Sequence, residues 1–302
     1  MTTIPADVKM HKKKTIWSPG QIILVAIIFV FVLSCVLPFL NVIAISFSSK
    51  SAILRGDVSF WPVEFETKAY EILFADKTMI DCLFYTVKLT VVYTALAMLL
   101  TILMAYPLTK KRLKGRKFFN LLALFTMYFS GGTIPIYLNV GDFGMLNTFW
   151  SLVIPGLLST YNMIIMKSFF AGLPNELEEA ATIDGANDFQ ILLQVYLPLS
   201  LASIATLTLF YAVGKWNSFA DAKYYIQTKA LQPLQLRLYN IIKGSTAVDV
   251  TAIEGNANSN AQNVSESIES ATIIFATLPI LVVYPFVQRY FVSGVTIGAV
   301  KG

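Results

Sequence analysis

Between Glu178 and Phe189 the chain reads E-E-A-A-T-I-D-G-A-N-D-F, a run of acids and amides set between long apolar stretches. Carboxylates at this spacing can cap helices, pair with cations or join a metal site, and each use needs different neighbours. A metal would need histidine, cysteine or further acids at ligand spacing. The chain offers one histidine, His11, among N-terminal lysines, and two cysteines, Cys35 and Cys82, with no framework spacing. Both cysteines lie in or beside apolar runs and read as small buried hydrophobes; His11 reads as solvated. No Ser/His/Asp or paired-carboxylate arrangement falls inside an apolar run, and no G-x-x-x-x-G-K-[ST] occurs. Neither catalytic residues, a metal site nor a P-loop for ATP is therefore expected in this chain. Buried ionisable groups, the usual mark of ion-coupled transport, are not expected either. What remains is recognition: a polar segment shaped to be held or gripped.

Its local grammar is helix, turn, helix. Asn175 is expected to cap the first helix, with Glu176, Glu178 and Glu179 close to its positive end. Leu177, Ala180, Ala181 and Ile183 give that helix a mostly small, apolar side. Asp184-Gly185 should end it, because glycine accepts the left-handed conformation that side chains resist. Asn187 or Asp188 then caps a second helix, Phe189 to Tyr196, and Pro198 enters the next apolar run. A short helix of this kind is either a docking knob or an ordinary capped loop.

The elements that must position it are membrane spans. Of the 302 residues 56% are hydrophobic and 14% charged, with mean hydropathy +0.64. Soluble domains carry about 25% charged residues. Apolar runs of roughly 20 residues, long enough to cross a bilayer as helices, recur. The expected fold is all-α, a polytopic membrane protein with six spans: Gln21 to Phe47 (kinked at Pro38), Leu83 to Leu108 (Lys88 snorkelling), Phe118 to Leu138 (interrupted at Gly131, Gly132 and Pro135), Asn147 to Met166 (broken at Pro155-Gly156), Pro198 to Val213, and Ala271 to Val287. The first run is too long for a signal-peptide core and reads as a retained span.

Lysine and arginine in short loops set orientation. The tail carries Lys9, Lys12, Lys13 and Lys14, and Lys110 to Lys117 holds six basic residues in eight positions; the loop after span three has only Asp142. Both termini (1–20 and 292–302), the Lys110–Lys117 loop and the polar segment 174–198 are thus expected in the cytoplasm, with the six-helix transmembrane domain over 21–291. Loops 48–81 and 220–270 fall outside. The first mixes charge with Phe60, Trp61, Phe65 and Tyr70 and reads as partly ordered near the headgroups. The second ends in a polar, mobile-looking tract, where Asn263-Val264-Ser265 is a chance sequon. The net charge of +5 is accounted for by topology and calls for no nucleic acid.

E-A-A-T-I-D-G-A at Glu179 to Ala186, with Leu197-Pro198 at a set distance, resembles the EAA motif of bacterial ABC importer permeases. Further likenesses lie in G-M-L-N-T-F-W-S-L-V-I-P from Gly144, F-S-G-G-T-I-P from Phe129, K-W-N-S-F from Lys215, and the tail V-S-G-V-T-I-G-A-V-K-G. They are similar to the carbohydrate-uptake family and its LplC/YtcP-type subgroup. The resemblance implies a six-span type I importer subunit in the bacterial cell membrane. It would pair with a second homologous permease, two copies of a cytoplasmic ATPase that bind ATP and Mg, and an extracytoplasmic solute-binding lipoprotein. It also implies oligosaccharide as substrate, complex or acidic for this subgroup. The coupling residues carried over are Glu178, Glu179, Ala180, Ala181, Asp184, Gly185, Ala186 and Pro198. The acidity of Glu176, Glu178 and Glu179 suggests either a basic rim on the ATPase or plain solvated acids.

Sugars stack on aromatic rings and bond amides. Tyr128, Tyr137, Tyr161, Asn162, Tyr211, Trp216 and Asn217 are candidates for the substrate path, while Tyr and Trp at span ends also form interfacial belts. The family's paired permease can instead carry the main sugar site. Thr296 to Gly302 resembles family tails that reach between the ATPases, or is a frayed end. Alternatives are a permease for another solute class, a stand-alone secondary transporter, which would show an internal repeat or an intramembrane acid, and a non-transporting scaffold.

Overall fold

The computed structural model describes residues 18–253 and 266–285, with side chains left out over 244–253. His11, the N-terminal lysines, the 263–265 sequon and the 292–302 tail lie outside the described residues. All described regular elements are helices.

Helix α1, Pro19–Ser46, starts from a capping box: Gln21 N–H donates to Ser18 Oγ at 3.4 Å and Ser18 N–H to Gln21 Oε1 at 2.9 Å. None of its most apolar stretch is buried. A helix apolar on every side and unburied must be covered by lipid or another chain. Cys35, expected to be buried, is exposed on it for the same reason, whereas Cys82 is buried.

At its far end the chain makes the short helices α2, Lys50–Leu54, and α3, Lys68–Ala75. Phe47 stacks on Phe65 and Tyr70, at 5.4 Å and 4.7 Å. Glu64 sits at φ 53, held by Ser49, Ser51 and Arg55, whose hydrogen bonds bring its pKa down to about 2. Loop 48–81 is thus ordered, and it exposes Trp61 and Phe60 as an interfacial segment would.

Helix α4, Lys77–Thr109, is the mast of the bundle. Ala97, Thr101 and Ala105 stand four apart on one face and are fully buried. Small residues at that spacing let neighbouring helices approach closely. There α4 meets α8, Thr160–Ala171, and α12, Leu201–Trp216. Met163, Met166, Phe170, Leu207 and Tyr211 fill the shared core. Lys88 is exposed, its ammonium 5.4 Å from the Phe149 ring.

Among the described residues three long helices can cross a membrane, and two bent pairs raise this to five. In the first pair, α5 (Arg116–Tyr128) and α6 (Thr133–Asp142) meet at 112°, where Gly132 takes φ +88. The second joins the Asp188–Leu199 segment to α12 at 84°. The remaining expected span, 147–166, is two pieces: α7, Phe149–Val153, and α8, which runs on to Ala171. The cause is local. Pro155 lacks an N–H, Gly156 turns at φ +72, and Ser159 starts a new helix by accepting from Asn162 N–H at 3.3 Å. The opened backbone finds partners: Tyr93 donates to Gly156 O at 2.8 Å, and Ser159 N–H to Tyr211 Oη at 3.1 Å.

The Lys110 end then carries α9 (Asn175–Ile183), α10 (Asp188–Ile191), a π-turn over Leu192–Tyr196 and α11 (Leu197–Leu199). At the opposite end lie α13, Ala220–Tyr225, a 3₁₀ turn at Lys229–Leu231, and α14, Leu234–Ile253. Loop 220–270 is therefore structured over most of its described length. Leu234 and Leu236 bury against the bundle, and Leu234 N–H donates to Thr86 Oγ1 at 2.8 Å. The last helix, α15, spans Glu266–Pro285.

The small-residue seam makes a test. Ala97→Leu should lower stability by about 1–3 kcal/mol through overpacking, read as a lower thermal midpoint in detergent. Val91→Leu on the exposed side of α4 should leave the midpoint unchanged. Equal midpoints for both would show that the seam is not close-packed.

Candidate functional site

The polar segment is built by capping. Pro174, not Asn175, is the cap residue of α9, and no side chain caps it; a proline preset at φ −58 turns the chain so that Asn175 is already helical. The other end follows the expected pattern. Gly185 sits at φ +84, its N–H donates to Thr182 O at 3.1 Å, and Ala186 N–H donates to Ala181 O at 3.0 Å. That double bond is a Schellman closure, which needs the left-handed residue glycine supplies. Asn187, rather than Asp188, caps α10 through a capping box with Gln190, both bonds being 2.9 Å.

One face of α9 is anchored. Glu178 turns inward, where its Oε2 accepts from Lys110 Nζ and from Tyr196 Oη, each at 2.7 Å. The Lys110 ammonium lies 4.1 Å from both the Tyr106 and Tyr196 rings. Tyr106 and Phe170 meet Tyr196 edge-on at 5.1 Å and 5.5 Å. Lys110 is 8% exposed, so its charge needs both the carboxylate and the ring faces. Burial pushes the Glu178 carboxyl up, but bonds from Lys110 and Tyr196 outweigh it and hold the group below its ordinary value. A second pair joins Arg112 to Asp188. Arg116 Nε donates to Leu108 O at 2.9 Å, folding the basic loop back on α4, and Lys167 donates to Asn120 Oδ1, joining α8 to α5. Between loop and α9 lies a cavity of about 870 Å³, bordered by Lys111, Arg116, Glu179 and Thr182.

The other face is open. Leu177 and Ala180 are exposed and Ile183 is 85% exposed, alongside Glu176, Glu179, Asp184 and Gly185. Ala181 and Ala186 are half-buried against the core, and Pro198 is exposed near the bend into α12. The apolar side expected of α9 thus splits, and its three acids do not share one face. Among the described residues only the inward Glu178 has a cation; Tyr106, Lys110, Phe170 and Tyr196 around it left no signal beyond the first lysine of the basic run.

The aromatic and amide candidates do not converge. Tyr211 is buried, bonded to Thr101 Oγ1 at 2.7 Å, and Trp216 donates to Ala276 O at 3.1 Å. Tyr137 stacks on Tyr225 at 6.1 Å, and Asn162 is buried. Tyr128 and Tyr161 are exposed on neighbouring α5 and α8, and Asn217 is exposed. Lys215 corrects the expectation of no buried ionisable group. It is 7% exposed, 3.6 Å from Asp221 and 4.7 Å from the Tyr93 ring. It lies in the last turn of α12, and the turn into α13 covers it.

Comparison with known proteins adds to this geometry. Residues 80–297 match the family described as binding-protein-dependent transport system inner membrane component. The Protein LplC of Bacillus subtilis is 43% identical over 88% of this chain and 90% of its own. From the same organism, the polygalacturonan/rhamnogalacturonan transport system permease protein YtcP is 40% identical over 90% of this chain and 94% of its own. A solved structure of a bacterial ABC transporter involved in the import of the acidic polysaccharide alginate superposes with TM-score 0.81 at 31% identity, covering 90% of this chain and 96% of that one.

Glu178→Ala should leave a buried ammonium unpaired and destabilise the anchored face by about 3 kcal/mol, with faster amide exchange over residues 175–187. Lys110→Met/Glu178→Leu should recover most of the protection. Because the Glu178 pKa lies below its unfolded 4.5, its contribution is complete above about pH 4.5 and is lost as pH falls below that. Unchanged exchange in Glu178→Ala would show that the pair does not hold α9.

Proposed function

This chain belongs to the family of binding-protein-dependent transport system inner membrane components, and from that premise we propose that it is the permease subunit of an ATP-driven importer of acidic oligosaccharides, gripped by its motor at α9. The observation that carries the reading is the two-faced helix: one face locked to α4 through Glu178 and Lys110, the other exposing Leu177, Ala180 and Ile183. A handle must be stiff on the side it pulls and apolar on the side it offers. Displacement of α9 would move the end of α4 through the Lys110 pair and the bent entry to α12 through Tyr196 and the π-turn.

In this reading hydrolysis of ATP, with Mg, belongs to two copies of a cytoplasmic ATPase, and the chain itself carries out no bond chemistry. The unburied, uniformly apolar α1 supports a second permease packed beside it. A solute-binding lipoprotein would deliver substrate at the α2–α3 end. Polygalacturonan and alginate are acidic polymers, and relatives handling them support a uronate-containing oligosaccharide as substrate. Of the path candidates, the exposure of Tyr128 and Tyr161 on neighbouring α5 and α8 favours that pair as the one that meets the sugar. The basic loop Lys110 to Lys117 supports cytoplasmic placement of this end and of both termini.

Purification of the chain should bring down an ATPase, a second permease and a binding protein, and the complex should take up oligogalacturonate in preference to a neutral oligosaccharide. A chain that transports alone, without ATP, would overturn the reading. Gly185 separates docking from folding. A Cβ there meets nothing within 4 Å on this chain, and asparagine tolerates φ > 0. Gly185→Asn should therefore insert normally yet lose most ATP-coupled uptake through a clash with the motor; full uptake would mean that this turn docks nothing. A cysteine at Gly115, with Cys35 and Cys82 replaced by serine, should stay unlabelled by impermeant thiol reagents in intact cells. Strong external labelling would invert the topology.

A further inference from the structure

The end of α4 has an unused feature: two apolar grooves that meet beneath one basic rim. Pro107 lies in the last turns of α4, and Leu113 folds back beside it. On one side, between α4, α5 and α8, is a groove of about 360 Å³, with Met104, Leu122 and Ala123 among its walls. On the other, toward the coupling segment, is a groove of about 540 Å³ walled by Tyr106, Phe189 and Leu192. Leu103, Pro107 and Leu113 line both, so they form a shared ridge.

The walls are apolar and open. Leu103, Met104, Leu122 and Phe189 are 42%, 43%, 47% and 61% exposed. Above the second groove stand Lys110, Arg112 and Lys114, with Asp188 as the acid among them. Lys110 is matched by Glu178 and Arg112 by Asp188. Lys114 has no partner among the described residues, and neither has Lys111, which lies in the same loop but borders the cavity beside α9. The rim therefore keeps positive charge that nothing described on this chain neutralises.

We infer that this is a binding site for one anionic diacyl phospholipid of the inner leaflet. Two slots under a single cationic rim match two acyl chains joined at one phosphate. Basic pockets at the cytoplasmic ends of spans favour anionic headgroups, and the attraction is short-ranged. The acyl chains cover surface that water would otherwise meet, while the phosphate approaches Lys114 and Arg112. Because Asp188 and Phe189 also border the site, the bound lipid braces α10 against α4, next to the helix the motor is proposed to grip. The inference rests on cytoplasmic placement of this end, which labelling at Gly115 tests separately.

The assembled importer, purified with its partner subunits, would be exchanged into phosphatidylcholine vesicles with or without phosphatidylglycerol and its retained lipid read by native mass spectrometry. The wild type should retain one phosphatidylglycerol in preference to phosphatidylcholine. Lys114→Gln should weaken that preference about fivefold, and Lys111→Gln/Lys114→Gln further. Leu103→Trp, which fills the ridge, should remove retention of both lipids while the subunits stay assembled. Soluble glycerol phosphate and inorganic phosphate should not displace the lipid; displacement by either would make this a free-phosphate site and overturn the inference. Retention unchanged in Leu103→Trp and in the double lysine variant would overturn it as well. So would cross-linking of a cysteine at Leu103 to the partner permease, because a protein helix would then fill the grooves.

Discussion

A carboxylate meeting an ammonium ion between two tyrosine rings is the contact on which the organisation of this end depends. Lys110 ends the longest helix, Glu178 sits in the short α9, and Tyr196 lies in the π-turn leading to α12. Three segments far apart in sequence therefore share one charge pair. A buried ammonium is tolerated only with its counter-charge and the ring faces in place. Loosening any of the three would expose the others to an unpaired charge, so α9 cannot shift without moving its neighbours. That is the mechanical property a handle requires.

Satisfaction of polar groups also governs the interior. The break at Pro155-Gly156 opens backbone groups at membrane depth, and hydroxyls of Tyr93 and Tyr211 answer them, with Thr101 bonded in turn to Tyr211. Irregular backbone survives there because side-chain hydroxyls satisfy its polar groups. Helix α1 is the opposite case: long, regular and apolar on all sides, it satisfies its own backbone and needs only an apolar surface around it. This difference explains why the segment broken at Pro155-Gly156 packs on α4 and α12 while α1 stands apart. It also separates the aromatic residues by role, since Tyr211 and Trp216 hold helices together and Tyr128 and Tyr161 face outward.

Much of this was legible from residue order. The apolar runs located the helices, and the turn at Gly185 and the cap at Asn187 follow from chemistry confined to four or five residues. The E-A-A and D-G-A spacing with its L-P pointed to the family that the comparisons bear out. Less legible was where a side chain points when both directions are locally acceptable. Glu178 and Glu179 are adjacent acids in one helix, yet only the first finds a cation, because α4 ends beside it. Lys215 is covered by the turn into α13, a contact that no local pattern announces, and the stretch from Leu234, expected as loop, is helical where the bundle offers its leucines a place to bury.

Composition and periodicity by themselves therefore determined that the chain is all-helical and membrane-embedded, where its breaks fall and which segment is polar. Those properties follow from backbone hydrogen bonding in an apolar solvent and from glycine and proline geometry, both local in sequence. Tertiary structure alone decided that Glu178 is an anchor rather than a surface acid, and that Lys110 and Lys215 are buried. Each of these depends on a partner supplied by a distant segment, and the free energy of a buried charge or an open backbone group is set by that partner rather than by the residue itself.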